Sequence, residues 1–322
     1  MLGYEEFRET LINKFVSYLP EGFEGYHVET QMVPRTNTCL ESISIRPDEI
    51  GNENITPVMY IENLYDEYLK GDDDALAYIR DKAIMYAEYY NKGREMAANV
   101  KDGVDKIISK DAVFPQVINA ERNREYLKDK PHREILDLAV IYRIDAPAFS
   151  GTVAVNNGVA ENLGLTEEQL YEVALKNLEE RFTPQLMKMS ELLGIPEMYD
   201  EDVPLYVVTN KEKLMGANAI LLPSVFEEYS EQAGGDFYVI PSSIHELLFV
   251  QGEVSKAEDM QEIMAQVNAM ECVGNDFLSD NLYKYNAETK QIEFALPDRV
   301  KNKEKDISVI EEKKLEKDAK VI

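Results

Sequence analysis

The stretch Leu205–Val250 constrains the fold of this chain most, because it holds three apolar strand-like runs in quick succession. Leu205–Thr209 and Phe237–Ile240 are two of these runs, and a short amphipathic segment with helical spacing lies between them. A Pro-Ser-Ser turn then leads to His245 and Glu246 and into the third run. Short apolar runs bounded by Gly and Pro are typical of buried strands. The stretch therefore predicts the sheet core of a C-terminal domain.

The N-terminal region combines helical and strand patterns. Apolar residues spaced by three and four predict a helix over Leu2–Tyr18. Two strand-like runs, Gly25–Val33 and Cys39–Ile45, predict a β-hairpin. Helical patterns follow over Pro57–Leu69 and Asp74–Val100, and a Lys-Gly-Asp-Asp turn separates them. This order of elements predicts an α+β opening to the chain.

Three further segments connect that region to the central stretch. The continuous apolar run Ile135–Ile144 predicts a buried strand. A helix is predicted over Glu167–Glu180, because a capping-box sequence begins it. Asn177 lies on the apolar face of this helix and, if buried, must hydrogen-bond to a neighbouring loop backbone. Pro184–Leu193 is predicted to be a short helix that Gly-Ile-Pro ends.

These elements predict an α+β protein with two regions and a tail. An N-terminal helix, hairpin and helical region occupy 1–150, and a mixed-sheet C-terminal domain with flanking helices occupies 151–297. We expect the boundary near Ala146–Gly151. The segment 298–322 is rich in Lys and Glu, so it is predicted to be a solvated helix or a disordered tail.

The charge of the chain limits the partners that it can bind. The 322 residues include 61 acidic and 34 basic side chains, and the formal net charge is −27. Because phosphates and anionic lipids are bound by basic faces, this balance argues against nucleic-acid and membrane binding. An acidic mimic of nucleic acid is an alternative, but it needs carboxylates arrayed on one face, and the acids here are spread along the chain.

The cysteines and the apolar runs indicate a compartment. Cys39 and Cys272 lie far apart and outside any CxxC pattern, so neither a zinc cluster nor a disulfide framework is indicated. Free thiols are typical of a reducing compartment. The N-terminus lacks the pattern of a signal peptide, and no apolar run approaches the ~20 residues that span a bilayer. We therefore expect a cytoplasmic protein.

The polar candidates for a functional site cluster in the central stretch. They are Asn210, Gly216, Ala217, Asn218, Ser242, Ser243, His245 and Glu246. Serine beside histidine suggests acyl transfer, but no GxSxG or SxxK pattern marks these serines. The His-Glu pair lacks the second histidine of a zincin helix, and the glycine turns match no phosphate-binding loop. The structural alternative is that the serine hydroxyls satisfy backbone groups of the turn.

Several phrases of the sequence resemble one bacterial family. They are VNNGVAENLGLTEEQLYEVALKNLEE, PLYVVTN with GANAILLP, GGDFYVIPSSIHELLFV and VNAMECVGNDFLSDNLYKY. The chain is similar to the domain of unknown function 5688, which is frequent in Firmicutes. This resemblance implies a cytoplasmic α+β protein of bacteria and implies no reaction or cofactor. A site shared with the family would fall on Asn210, Gly216, Ala217, Pro241, Ser242, Ser243, His245 and Glu246.

Two functions remain open from the sequence. The first is a non-enzymatic protein that binds a protein partner or a small ligand, because no catalytic residue set matches a known pattern. The alternative is a hydrolase in which His245 acts as the base and Glu246 orients it, with a divalent metal as a possible aid. The sequence identifies neither the cofactor nor the partner.

Overall fold

The structure, a computed structural model, describes residues 1–48, 57–71, 74–100, 109–146, 151–194, 205–251, 257–268 and 274–297. Two compact units divide the chain, Met1–Ile108 and Ser109–Ile322. Both units contain helices and antiparallel sheets, so the predicted α+β class is confirmed. The predicted charged tail lies outside the described residues.

The first unit packs helices against a three-stranded sheet with the order β1-β2-β3. Its elements are α1 (Tyr4–Lys14), β1 (Tyr26–Arg35), β2 (Thr38–Pro47), β3 (Met59–Tyr60), α2 (Ile61–Lys70) and α3 (Ala75–Val100). The turn between β1 and β2 holds Asn37 at a φ of 60°, in the left-handed region that asparagine tolerates. The predicted first helix, hairpin and pair of later helices are confirmed.

Aromatic side chains fill the core of the first unit. The rings of Phe7 and Tyr68 stack with their centroids 5.1 Å apart, and Phe15 meets Tyr86 edge to face at 5.5 Å. The Tyr86 hydroxyl accepts a hydrogen bond from the backbone N–H of Ile45 at 3.1 Å. Burying these tyrosines therefore leaves their polar ends bonded, as a stable core requires.

The second unit contains two antiparallel sheets. Its elements are β4 (Val113–Asn119), α4 (Arg124–Leu127), β5 (His132–Ile135), β6 (Leu138–Ala146), β7 (Gly151–Ala154), α5 (Asn157–Leu163), α6 (Glu167–Arg181), β8 (Pro184–Lys188), α7 (Met189–Leu193), β9 (Leu205–Asn210), α8 (Pro223–Ala233), β10 (Phe237–Ser243), β11 (Glu246–Gln251), α9 (Ala257–Asn268), β12 (Tyr283–Asn286) and β13 (Gln291–Phe294). One sheet has the order β4-β6-β5 with β7 also beside β6, and the other has the order β13-β12-β10-β11-β9-β8. Every strand pair in the described residues is antiparallel, whereas the sequence suggested a mixed sheet.

Helix α6 begins at the predicted capping box and packs on β4. The Thr166 hydroxyl accepts from the Gln169 N–H at 3.4 Å, and the Gln169 side chain accepts from the Thr166 N–H at 3.0 Å. The buried face of the helix includes Asn177. As predicted, this asparagine bonds to neighbouring backbone, with Nδ2 donating to the carbonyls of Lys110 and Val113.

Two segment predictions were wrong in part. Residues 138–144 of the predicted strand Ile135–Ile144 form a buried part of β6, as predicted, but Ile135 ends β5 and Leu136 takes a φ of 57° in the turn between the two strands. Residues 184–188 of the predicted helix Pro184–Leu193 form strand β8 instead. Pairing with β9, from Pro184↔Asn210 to Lys188↔Tyr206, supplies ladder hydrogen bonds that outweigh the local preference.

The division between the units lies far from the expected boundary near Ala146–Gly151. Strands β6 and β7 pair across these residues, from Arg143↔Ala154 to Ala146↔Gly151. One sheet therefore includes both sides of the expected boundary, and the structure divides the chain between Ile108 and Ser109.

Candidate functional site

The Pro-Ser-Ser-Ile-His-Glu segment forms the tip of the β10–β11 hairpin. Ser243 pairs with Glu246, and the strand register shifts between Ile240 and Ser243, so Ser242 lies in an irregular part of β10. The Ser243 hydroxyl donates to the Glu246 carboxylate at 2.7 Å and accepts from the His245 backbone N–H at 3.0 Å. These bonds close the turn, as the structural alternative predicted.

His245 joins this hairpin tip to the loop that follows β9. Its Nδ1 accepts a hydrogen bond from the backbone N–H of Met215 at 3.2 Å. Because a backbone N–H only donates, the proton of the neutral ring must lie on Nε2. That nitrogen is 3.4 Å from a carboxylate oxygen of Asp276. Both ring nitrogens of His245 are therefore engaged by neighbouring groups.

The backbone of the hairpin tip also contacts the loop closely. The carbonyl of His245 accepts from the Thr209 hydroxyl at 2.8 Å, and the carbonyl of Ile244 accepts from the Ala217 N–H at 3.3 Å. A Cβ on Gly216 would lie 2.1 Å from the His245 carbonyl oxygen. Glycine is required at 216 because no side chain fits between these backbones.

Asn210 and Asn218 hold the two ends of the same loop. The Asn210 side chain donates from Nδ2 to the Leu214 carbonyl at 2.7 Å and accepts at Oδ1 from the Leu214 N–H at 3.2 Å. The Asn218 side chain accepts from the Val117 N–H at 3.0 Å and donates to the Pro115 carbonyl at 2.8 Å. Asn218 therefore fastens the loop to β4, and the loop is fixed at both ends.

A cavity of about 320 Å³ lies beside this loop within the second unit. Its lining is Phe114, Asp145, Thr152, Asn177, Leu178, Arg181, Phe182, Asn210, Glu212, Leu214, Met215 and Asn218. Apolar atoms provide most of its surface, although seven of the twelve lining residues are polar or charged, three of them asparagines. A concave apolar site with a few placed polar groups is typical of small-molecule binding.

The structure separates the predicted site residues into two groups. Asn210 and Asn218 line the cavity. Gly216 and Ala217 belong to the loop that forms one wall of it and contact the hairpin tip, and His245 contacts the same loop through Met215. Ser243 and Glu246 instead close the hairpin turn. Sequence reasoning missed Met215, Thr209 and Asp276, which carry no motif. It singled out three residues that line the cavity: Asn210, Asn218 and the asparagine on the apolar face of α6.

A second cluster lies at the β5–β6 hairpin. The Asp137 carboxylate accepts hydrogen bonds from Ser279 at 2.6 Å and Asn281 at 2.9 Å, and from the Tyr283 hydroxyl. Burial and the Asp137 charge raise the pKa of Tyr283 well above its usual value, so the phenol remains a donor. The three donors lie at every second position of the FLSDNLYKY motif, and Asp137 is their shared acceptor.

Asp137 also borders a larger cavity of about 480 Å³ near α4. The basic side chains around it have acidic neighbours: Lys128 lies 2.7 Å from Glu125, and Lys130 lies 2.6 Å from Asp129. The lysines that line this cavity are therefore already paired with carboxylates.

Neither a metal centre nor a membrane span is found in the part of the chain that the structure describes. In those ranges, no group of three or more His, Cys, Asp or Glu residues is placed to hold a metal ion. The described helices include none with the length and apolarity to cross a bilayer.

The chain is an α+β protein, and the cavity beside Met215 is its candidate site. Residues 4–287 match the family of unknown function DUF5688, and the chain belongs to this family. The resemblance seen in the sequence is thereby confirmed. No match was found among curated proteins or among solved structures.

Proposed function

We propose that this chain is a non-enzymatic small-ligand-binding protein and that its ligand occupies the cavity beside Met215. The observation that supports the proposal is that hydrogen bonds fix the conformation of one wall of that cavity. Asn210 and Asn218 both line it, and each has its amide oxygen and nitrogen engaged by backbone groups. A site whose lining residues are locked by their own hydrogen bonds is preorganised for binding.

The contacts of the hairpin tip favour binding over hydrolysis. A serine nucleophile needs a base within hydrogen-bond reach. Here the Ser243 hydroxyl donates to Glu246, while His245 bonds to Met215 and faces Asp276. The hydrolase alternative needs Glu246 to orient His245, but Glu246 bonds to Ser243 and His245 bonds to Met215, so the pair is not arranged as a base and its orienter.

The charge and cysteine content support the rest of the proposal. A net charge of −27 supports a partner that is neither nucleic acid nor a membrane. Cys39 is an exposed free thiol, which favours a cytoplasmic location. A small molecule is favoured over a protein partner because the candidate site is a concave cavity.

A thermal-shift screen of charged and uncharged metabolites tests this proposal, since a ligand that binds only the folded form raises the melting temperature. Leu178→Phe adds bulk inside the cavity and should abolish the shift. Leu175→Phe makes the same change on the same helix at a half-buried residue outside the lining, so it should preserve the shift. Loss of the shift in both variants would contradict the cavity as the site.

Two other outcomes would favour a hydrolase or a protein-binding function instead. Turnover of an ester or amide substrate that His245→Ala abolishes without unfolding the protein would establish the hydrolase instead. If no small molecule raises the melting temperature, the proposal fails and a protein partner becomes the explanation.

A further inference from the structure

Asn177 has one end of its amide fixed by the protein. The residue is 7% exposed, and its Nδ2 donates to the carbonyls of Lys110 at 3.1 Å and Val113 at 2.7 Å. Carbonyl oxygens only accept, so the nitrogen must face them and the orientation of the amide is determined. The side-chain oxygen Oδ1 is therefore the end left for another partner.

No residue in the described ranges donates a hydrogen bond to that oxygen. Buried polar groups are nearly always hydrogen-bonded, and an exception calls for an explanation such as an absent ligand. Asn177 lines the same cavity as Asn210 and Asn218. Those two asparagines already accept at Oδ1, from Leu214 and Val117.

The charged residues of the cavity lining do not favour the binding of a charged ligand. Arg181 lies 3.5 Å from the Asp145 carboxylate and donates to the Asp111 carbonyl, so an acidic ligand would compete with both. Glu212 is exposed, and a cation near it would remain in solvent. The buried lining residues are Leu178 and three asparagines, and the amide atoms of Asn210 and Asn218 are already hydrogen-bonded to backbone. Burying an unpaired ionised group beside them is unfavourable.

We propose that the ligand is a compact, uncharged, largely apolar molecule that donates one O–H or N–H hydrogen bond to Asn177 Oδ1. This inference rests on the proposed function, because it assigns the chemistry of the same cavity. The apolar body of the ligand would contact Leu178, Phe182 and Met215, and its O–H or N–H would donate to Asn177. A site that accepts a hydrogen bond from its ligand binds an analogue without that donor much more weakly.

Four matched probes test this chemistry: benzyl alcohol, benzyl methyl ether, benzoate and benzylammonium. Dissociation constants are measured by nuclear magnetic resonance titration of the full-length ¹⁵N-labelled protein. Benzyl alcohol should bind at least tenfold more tightly than its methyl ether and more tightly than either ion. Its binding should also shift the side-chain amide resonances of Asn177.

Asn177→Leu is the matched variant, because leucine is close to asparagine in size and offers no hydrogen-bond acceptor to a ligand. We expect it to bind the alcohol and the ether equally, and its circular dichroism melt shows whether it is folded. Should it not fold, the probe ratio and the Asn177 resonances of the wild type still decide the question.

Each contrary result has a separate meaning. Equal binding of alcohol and ether would overturn the inference and leave the cavity as a binding site. Tightest binding of benzoate or benzylammonium would overturn it in favour of a charged ligand. If none of the four probes binds, the inference fails, and the proposed function fails as well only when the wider screen is also negative.

Discussion

The Nδ1 of His245 accepts a hydrogen bond from the backbone N–H of Met215 at 3.2 Å, and these two residues lie 30 positions apart in the chain. Met215 takes a φ of 54°, in the left-handed region that non-glycine residues seldom adopt. It also lines the cavity. The hairpin tip therefore holds one wall of the candidate site in a conformation that the loop alone would not favour.

We predict that His245→Ala lowers both the stability of the protein and its affinity for a cavity ligand. Losing one partly buried hydrogen bond costs about 1 kcal/mol of unfolding free energy. Because the Met215 N–H then loses its acceptor, we expect the affinity for the cavity ligand to fall about five- to tenfold. This is within the usual range of coupling between two sites. Denaturant unfolding and ligand titration measure the two effects.

His245→Asn is the matched control for this change. Its amide oxygen can take the acceptor position of Nδ1, so most of the lost affinity should return. Equal affinities in the alanine and asparagine variants would show that the bond to Met215 does not control the cavity wall.

Gly216→Ala should be among the most damaging single-methyl additions in the second unit. The new Cβ would lie 2.1 Å from the His245 carbonyl oxygen and 2.8 Å from the Thr209 Cα, so backbone must move. We expect a loss of at least about 2 kcal/mol in unfolding free energy, from overpacking. Chemical denaturation checks this value.

Gly158→Ala provides the comparison. This glycine lies in helix α5, and the nearest atom to an added Cβ is the Asn156 Oδ1 at an ordinary 3.5 Å. Alanine in a helix is favoured over glycine, so this variant should gain about 0.5 kcal/mol. A similar loss in both variants would contradict the close approach at Gly216.

The contrast between helix α6 and strand β8 shows which features the sequence determines locally. The capping box of α6 is written in adjacent residues, and the structure forms it at Thr166 and Gln169. Strand β8 exists through its pairing with β9, whose partner residues are far along the chain. Local periodicity cannot report a preference that arises only when the partner strand is present.

The residues of the candidate site also divide into those that the local sequence indicates and those that only their distant partners define. Gly216 and His245 belong to a distinctive stretch, so the sequence singled them out. Thr209 and Asp276 have no pattern of their own, and their roles depend on the His245 carbonyl and Nε2 that they face. The sequence indicated Asn177 because an amide on an apolar helix face needs hydrogen-bond partners. Only the structure shows that its Nδ2 is bonded and that its Oδ1 is available to a ligand.

Replacing Asp137 with asparagine should weaken the link between the β5–β6 hairpin and the segment that follows α9. Ser279 and Tyr283 are fully buried and donate to this carboxylate. An amide offers one accepting oxygen in place of two, so at least one buried donor loses its partner. We expect a loss of about 1–3 kcal/mol in unfolding free energy, measured by denaturant titration.

Asp129→Asn is the control for the loss of a negative charge nearby. Asp129 is an exposed carboxylate 2.6 Å from the largely buried Lys130 ammonium, which also contacts the carbonyl and the ring of Tyr126. Because solvent screens the Asp129 charge and Lys130 keeps its other contacts, we expect a loss of at most about 1 kcal/mol. An effect of Asp137→Asn as small as that of Asp129→Asn would mean that the three donors find other acceptors.

The core tyrosine Tyr86 should make the protein lose stability at alkaline pH. Burial raises the pKa of Tyr86 to about 12 from the usual value of 10.0. The folded state therefore holds the phenol proton more tightly than the unfolded state, so this stability is present below pH 10 and is lost as the pH rises toward 12. A difference of two pKa units corresponds to about 3 kcal/mol.

Comparing wild type with Tyr86→Phe isolates this effect from other groups that titrate in the same range. Tyr86→Phe also loses the bonds to Ile45 and Pro57, which lowers its stability at every pH by a constant amount. The stability advantage of the wild type should therefore shrink by about 2–3 kcal/mol between pH 10 and pH 12. Tyr89→Phe changes an exposed ring on the same helix, so its unfolding curve should follow that of the wild type at each pH. An advantage that stays constant across this range would show that burial does not hold the Tyr86 proton.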